Sequence, residues 1–303
     1  MASLRNHPSE IRNSMKAMIL AAGLGTRLRP FSLVRPKPLF PILDKPLLIR
    51  IIDQLRVNGI DEILVNCYHL RDQIVNLLDH QPGVSLQQEN KILGTGGGLR
   101  EAMVFFGKEP ILIVNGDIFH TINLKKIIQE HKQSGNIASL ILHDYPRFNN
   151  VSVTENGSIT GFGDMGQTGR QLAFTGIHVI EPSLLNIIPQ NSYANIIDCY
   201  LQWILQGTQI SGLEVTGHYW TDMGTPEDYL DLHSVLLQEK RFGASTPFFQ
   251  GEDVEMLDDV VFDDWVAIGS RSSIGKNVSL KRVVVWDGVK VPDGTQISNT
   301  ILF

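Results

Sequence analysis

The apolar positions between Met15 and about Phe106 follow two alternating rhythms. MKAMILAA (from Met15) is a short apolar run that breaks at once into glycines, the pattern of a strand buried on both faces. PLLIRIIDQLRVNG then places apolar residues at helical spacing and stops at Gly59. DEILVNC predicts the next strand, RDQIVNLLDH a helix and GVSLQQ a third strand. After a cluster of glycines, LREAMVFF reads as a helix and PILIVNG as a fourth buried strand. Strands that alternate with helices and are themselves mostly apolar imply an α/β fold with a mostly parallel sheet covered on both sides.

The middle of the chain is less regular. NIASLILH and LAFTGIHVI read as strands, and Asn156-Gly157 between VSVT and SITGF signals a hairpin turn. EPSLLNII and ANIIDCYLQWILQG read as helices. Thr225-Pro226-Glu227-Asp228 opens another, with Thr as N-cap, Pro in the first turn and acids at its positive end. The character changes around QEKRFGASTP. Beyond Val254, Ile268, Ile274 and Leu280 are spaced by six, and after a shift Val285, Val291, Ile297 and Phe303 are again spaced by six. Such a repeat, with Gly, Asn and Asp between, predicts a β-helix in which each side of a triangular coil contributes one inward aliphatic. The chain therefore divides into a flexible extension over residues 1–14, a main domain over 15–245 and a repeat tail over 250–303.

Composition narrows the classes without choosing one. A chain of 303 residues with 43% hydrophobic and 19% charged residues is an ordinary globular protein. A net charge of -6 and the absence of a basic run argue against nucleic acid as a partner. Cys67 and Cys199 both lie in apolar segments and read as buried thiols, not a disulfide framework. The segment before Met15 is polar and lacks a signal peptide's apolar core. No run is long enough to span a bilayer, so the expectation is a cytoplasmic protein without a membrane partner.

The chemistry concentrates in LAAGLGTRLRPFSLVRPKPLFPI, which begins at Leu20 where the first strand ends. Gly23 and Gly25 let the backbone turn sharply and approach a ligand, and successive loop N–H groups form a concavity suited to phosphate oxygens. Arg27 and Lys37 add charge, with Arg29 and Arg35 beside them. A dinucleotide fingerprint fits poorly, because Leu28 stands where a third glycine belongs and the second strand ends in Asn66-Cys67 instead of an acid.

The stretch resembles the LAAGxGTRLxP…xPKP motif of the sugar-1-phosphate nucleotidyltransferases, and related motifs recur in order to about Asp231. The resemblance implies a Rossmann-like nucleotidyltransferase domain with a mixed, mostly parallel sheet, here followed by a short left-handed β-helix. It places Leu20, Ala21, Ala22, Gly23, Gly25 and Thr26 around the triphosphate and gives Arg27 and Lys37 the task of neutralising charge during transfer. Asp117 after PILIVNG and Asp222 in YWTDMGTPEDY would alone be turn or cap residues; within the family's pattern they are the expected pair of Mg²⁺ ligands.

Gly94 and Thr95 are the expected contacts to the base. Glu89 is suited to accept a hydrogen bond from a ring N–H of guanine or uracil, so GTP or UTP is the expected nucleotide. The resemblance assigns the sugar 1-phosphate to Asn115, Gly116, Gly161, Thr175 and Gly176. One departure stands out: GFGDMGQTGRQ lacks the Glu-Lys pair that many members carry after the hairpin, with Asp164 and Arg170 the nearby residues of similar charge. The overall pattern is similar to the N-acetylmuramate-1-phosphate uridylyltransferases and the mannose- or heptose-1-phosphate guanylyltransferases, and the repeat tail favours the latter. A catalytically silent regulatory or scaffold subunit of the same fold is the competing reading, with homo-oligomer formation through the tail as a further expectation.

Overall fold

Apolar runs become strands whose side chains alternate between two buried faces. In the computed structural model, which describes residues 15–164, 169–239 and 246–303, β1 (Lys16–Leu20), β2 (Ile63–Cys67), β3 (Val84–Gln88) and β4 (Ile111–Asn115) lie parallel in the order β4-β1-β2-β3. Residues 1–14, residues 165–168 after the hairpin and the junction 240–245 lie outside the described residues. Met18 of β1 enters one apolar cluster with Leu64, Ile111 and Ile113, while Ala17 and Ile19 enter another with Ile63, Val65, Leu112 and Val114. Both faces are apolar because both are covered, which is why these strands appear as unbroken apolar runs.

Helices supply the covers. α1 (Leu47–Val57) buries Leu47, Leu48, Ile51, Ile52 and Leu55 along one stripe, and α2 (Arg71–Leu78) buries Ile74 and Leu78. α3 (Gly94–Glu101) begins inside the glycine cluster, earlier than the apolar periodicity predicts. Glycine is a poor helix former, but here little else fits. A β-carbon on Gly98 would stand 2.9 Å from Asn66 Nδ2 and 3.0 Å from Glu89 Oε1. Close packing overrides propensity at this helix.

The sheet becomes mixed in the middle of the chain. β5 (Ile118–His120) and α4 (Leu124–Ser134) lead into β6 (Ala138–His143), and Asn156-Gly157 joins β7 (Val151–Val153) to β8 (Ile159–Phe162) as an antiparallel hairpin. β9 (Arg170–Ile180) runs antiparallel to β4, β6 and β7. EPSLLNII forms a 3₁₀ segment over Pro182–Ile187, not an α-helix. Ile188 precedes Pro189 and is extended, as a residue before proline prefers. α5 (Ile196–Leu205) follows, capped by Asn195, and β10 (Ser211–Glu214) adds parallel to β6. β11 (Trp220–Asp222) pairs antiparallel with β5. α6 (Pro226–Gln238) starts with a capping box in which Thr225 and Asp228 satisfy each other's backbone N–H.

From Phe248 the chain winds into stacked coils. β12 (Phe248–Gln250), β14 (Val261–Ile268), β16 (Ser279–Val285) and β18 (Gln296–Leu302) form one parallel sheet, and β13 (Glu255–Met256), β15 (Ser273–Ile274) and β17 (Lys290–Val291) another. Ile268, Ile274, Leu280, Val285 and Val291 are buried together in the coil interior, with Ile297 partly buried against them. Phe303 departs from the six-residue pattern. Arg282 and Asn299 occupy equivalent corners with φ of 53° each, so the side after each corner is shortened. Leu302, paired with Val285, therefore takes the inward place. Phe303 instead packs its ring 4.7 Å from that of Phe31. Trp265 and Trp286 join the apolar cluster of the main sheet, which ties the coils to it. Among the described residues no helix is long and apolar enough to cross a membrane.

Candidate active site

Leu20 lies level with Asn66 of β2 and Asn115 of β4, so three strand ends open onto one edge of the sheet. That edge, at the carboxyl ends of parallel strands, is where such folds bind ligands. A cavity of about 310 Å³ opens there. Leu20, Ala21, Ala22, Gly23, Gly25, Thr26 and Arg27 line it from the start of the loop, and Lys37 from its end. Glu89, Gly94 and Thr95 line the opposite wall, and Asn115 and Asp117 close it from the end of β4.

A second cavity of about 270 Å³ adjoins the first. Asn115 and Asp117 line both and stand at the seam. Thr175, Gly176 and Asp222 line the second, together with Phe148, Asn150, Phe162, Phe174 and Trp220. Gly176 has φ of 78°, and a β-carbon on it would stand 2.7 Å from Asn115 Nδ2, so only glycine leaves the amide in place. Two of the residues expected at the sugar stand next to lining residues without lining either cavity themselves. Gly116 donates its N–H to the Leu20 carbonyl at 2.9 Å, and Gly161 pairs with Ser152 within the hairpin.

The two acids come together because of the strand pairing. Asp222 ends β11 opposite Ile118 of β5, and Asp117 immediately precedes that residue. The Met223 N–H donates to the Asp117 carbonyl at 3.2 Å, which fixes the two turns side by side. Lys37 Nζ donates to Asp117 Oδ2 at 2.8 Å and to Asp222 Oδ1 at 3.0 Å. Arg27 Nη2 lies 3.5 Å from Asp222 Oδ2. The side chain of Lys37 is 8% exposed and that of Arg27 is 62% exposed, so the lysine is built in while the arginine reaches from the rim. Two carboxylates side by side at the edge of the cavity are donors of the kind Mg²⁺ takes up together with phosphate oxygens and water. These residues fit that ion.

The opposite wall is held just as firmly. Asn66 Oδ1 accepts from the Ala21 N–H at 2.8 Å, so its amide orientation is fixed and Nδ2 donates to Glu89 Oε1 at 2.7 Å. Glu89 Oε2 accepts from the Leu93 N–H at 3.3 Å. Burial raises the Glu89 pKa above the ordinary carboxylate range, against the opposing pull of the hydrogen bonds from Asn66 and Leu93. A carboxylate oxygen can accept more than one hydrogen bond, and Glu89 lines the cavity.

Asn66 was legible in the sequence only as a polar residue closing an apolar strand, and nothing there linked it to Ala21 or Glu89. The aromatic wall of the second cavity was equally hidden, since Phe148, Phe162, Phe174 and Trp220 come from separate segments. Trp220 Nε1 donates to the Thr175 carbonyl at 2.8 Å, which seats its ring in that wall. Arg170 is committed elsewhere: it forms a forked pair with Glu214 at 2.6 and 2.7 Å. Arg35 is also turned away from the first cavity, toward Asp287 in the coils.

A glycine-containing loop that lines a cavity at the sheet edge, a lysine held between two carboxylates and a neighbouring second cavity are the features of an α/β protein that handles phosphoryl groups. Consistent with that class, the chain belongs to the nucleotidyl transferase family, which it matches over residues 16–239, and within it to the sugar-1-phosphate nucleotidyltransferases. It is 27% identical to mannose-1-phosphate guanylyltransferase 1 of Arabidopsis thaliana over 95% of this chain and 86% of the relative. It is 30% identical to the UTP–glucose-1-phosphate uridylyltransferase of a Synechocystis strain over 74% of this chain and 64% of the relative. The fold is shared with HddC from Yersinia pseudotuberculosis, solved in complex with GMP-PN, at a TM-score of 0.61 and 24% identity over 72% of this chain and 97% of that one.

Proposed function

We propose that this protein transfers GMP from GTP to a sugar 1-phosphate, releasing pyrophosphate and forming a GDP-sugar. The observation that carries the reading is the seam: Lys37 sits between Asp117 and Asp222, and Asp117 with Asn115 lines both cavities. A nucleotide in the first cavity and a sugar phosphate in the second would meet there. The sugar phosphate oxygen attacks the α-phosphorus, a new P–O bond forms, and the bond to the β-phosphate oxygen breaks as pyrophosphate leaves. A phosphate dianion is already nucleophilic, so the site needs no general base. Positioning and charge neutralisation do the remaining work. Lys37 and Arg27 hold negative oxygens, and the loop from Ala22 to Thr26 supplies N–H donors. Asp117 and Asp222 would hold Mg²⁺, whose chemistry there is to neutralise the triphosphate.

Guanine is favoured over uracil by the chemistry of Glu89. Guanine offers N1–H and N2–H side by side, which two acceptor oxygens can take together. Uracil offers one N–H flanked by carbonyl oxygens, and an ionised carboxylate repels one of them. Adenine offers no ring N–H on that edge. The relative aligned over 95% of this chain is a guanylyltransferase, which supports the same choice. Gly94 and Thr95 flank the base, and Thr175, Gly176 and Asn115 the sugar. We further infer that residues 15–245 form the catalytic unit and residues 250–303 a left-handed β-helix, a reading supported by the separate apolar interior of the coils.

The test is pyrophosphate release from the purified chain with each of the four nucleoside triphosphates against a panel of sugar 1-phosphates, with and without Mg²⁺. Release should depend on GTP, on one or a few sugar phosphates and on Mg²⁺. Silence across the whole panel would reject the reading in favour of a regulatory subunit.

A further inference from the structure

The loop that presents Lys37 is gripped from outside by the C-terminal coils. Trp286 touches it on both sides of that lysine. Its ring lies 6.2 Å from Phe31 and 4.8 Å from Phe40, both tilted toward edge-on packing, and the Arg35 guanidinium stacks 4.6 Å above it. Arg35 Nη1 also donates to Asp287 Oδ1 at 2.6 Å, and Arg271 stands 3.8 Å from the other Asp287 oxygen. Phe303 packs on Phe31.

The same tryptophan reaches the other half of the site. Its Nε1 donates to the Tyr229 hydroxyl at 3.2 Å, and that hydroxyl donates to the Pro41 carbonyl. Tyr229 belongs to α6, the helix that begins just after Asp222. Trp286 is 2% exposed and Tyr229 is fully buried, so these contacts are built into the core. A planar guanidinium that stacks and pairs at once is a rigid strut. The segments carrying Lys37 and Asp222 thus converge on one residue of the coils.

We propose that Trp286 and Asp287 are positioning residues for the transfer reaction: acting through Arg35, Phe31 and Phe40, they hold the segment that sets Lys37 between Asp117 and Asp222. The inference rests on the reading of Lys37 as a charge-neutralising residue. The coils are then a working part of the site, and Arg35 serves as their handle on the loop instead of touching phosphate. Neither Trp286 nor Asp287 lines the nucleotide cavity, so their effect on turnover passes through geometry. A displacement of about 1 Å at a reacting group costs roughly a hundredfold in rate, and partial loosening costs less.

The experiment uses the full chain with Arg35→Met and Asp287→Asn, alongside the conservative variants Arg35→Lys and Asp287→Glu. Steady-state pyrophosphate release and amide hydrogen exchange over residues 24–36 are measured on each. Removing the pair should lower kcat about tenfold or more and leave the KM for the sugar 1-phosphate within about twofold, because the second cavity is untouched. Exchange over residues 24–36 should rise while exchange in β1 stays as in the wild type. The conservative variants should recover most of the kcat. Unchanged exchange in the loop, or faster exchange with kcat within about twofold of wild type, would overturn the proposal. A wild-type chain without turnover would instead remove the functional reading, and the exchange result would still report on the brace.

Discussion

Replacing Glu89 by glutamine changes one acceptor into a donor at the wall we assign to the base. Oε1 is anchored by Asn66 and Oε2 by Leu93, so the ionised group presents two acceptors whose direction is fixed. Glutamine keeps one acceptor and turns an NH₂ toward guanine N–H. One charge-assisted hydrogen bond is lost and a donor faces a donor. A hydrogen bond to a charged group contributes about 1.5–3 kcal/mol, which corresponds to roughly ten- to a hundredfold in kcat/KM for GTP. The same amide can donate to a uracil carbonyl while accepting its N3–H, so UTP turnover should rise. The assay is kcat/KM for GTP and UTP at a fixed saturating sugar 1-phosphate. Asn66→Leu should give a milder loss of GTP selectivity, since Glu89 stays but loses its anchor. If Glu89→Gln keeps the wild-type ratio of GTP to UTP, the base is read elsewhere and this reasoning fails.

Two further outcomes follow from other parts of the chain. Gly176→Ala forces a side chain into a left-handed backbone, at about 1–2 kcal/mol, and pushes Asn115 aside; the KM for the sugar 1-phosphate should rise more than that for GTP, and equal rises would count against placing the sugar there. Asp287 offers a test by pH. Burial alone would raise its carboxyl, but the hydrogen bond and charge of Arg35 prevail and hold it below the ordinary range. A carboxyl lowered in the folded state stabilises above its unfolded pKa of about 3.9, and that contribution is lost as pH falls through the folded value. Wild type should therefore be more stable than Asp287→Asn to urea near neutral pH, with the gap closing on acidification; a gap that widens in acid would contradict the assignment.

Much of the fold was legible because it is local. The β1 run, the spacing of α1, the Asn156-Gly157 hairpin and the Thr225 cap each depend on residues a few positions apart, where periodicity and capping chemistry act. The start of α3 was not, because its glycines answer to distant neighbours, Gly94 and Gly97 to the backbone of Ala194 and Ser192 and Gly98 to Asn66 and Glu89. Phe303 was assigned inward because a six-residue count cannot register a corner such as Asn299. Arg35 stood in the sequence only as a charge beside Arg27 and Lys37, since its partner, Asp287, lies 252 residues away. The loop and the acids Asp117 and Asp222 could be named in advance, but their meeting at Lys37 depends on β5 pairing with β11, which nothing in either segment announces.

The central claim is that Lys37, held between Asp117 and Asp222, carries charge neutralisation in nucleotidyl transfer. Lys37→Met keeps most of the buried stem and removes only the ammonium, so the chain should fold while losing one built-in donor. Loss of a single donor of that kind costs about 10²–10³ in kcat. Single-turnover pyrophosphate release with GTP and the preferred sugar 1-phosphate, on a variant whose circular dichroism matches wild type, measures this directly. A fall of that size supports the account, and near-wild-type release from the folded variant would contradict it.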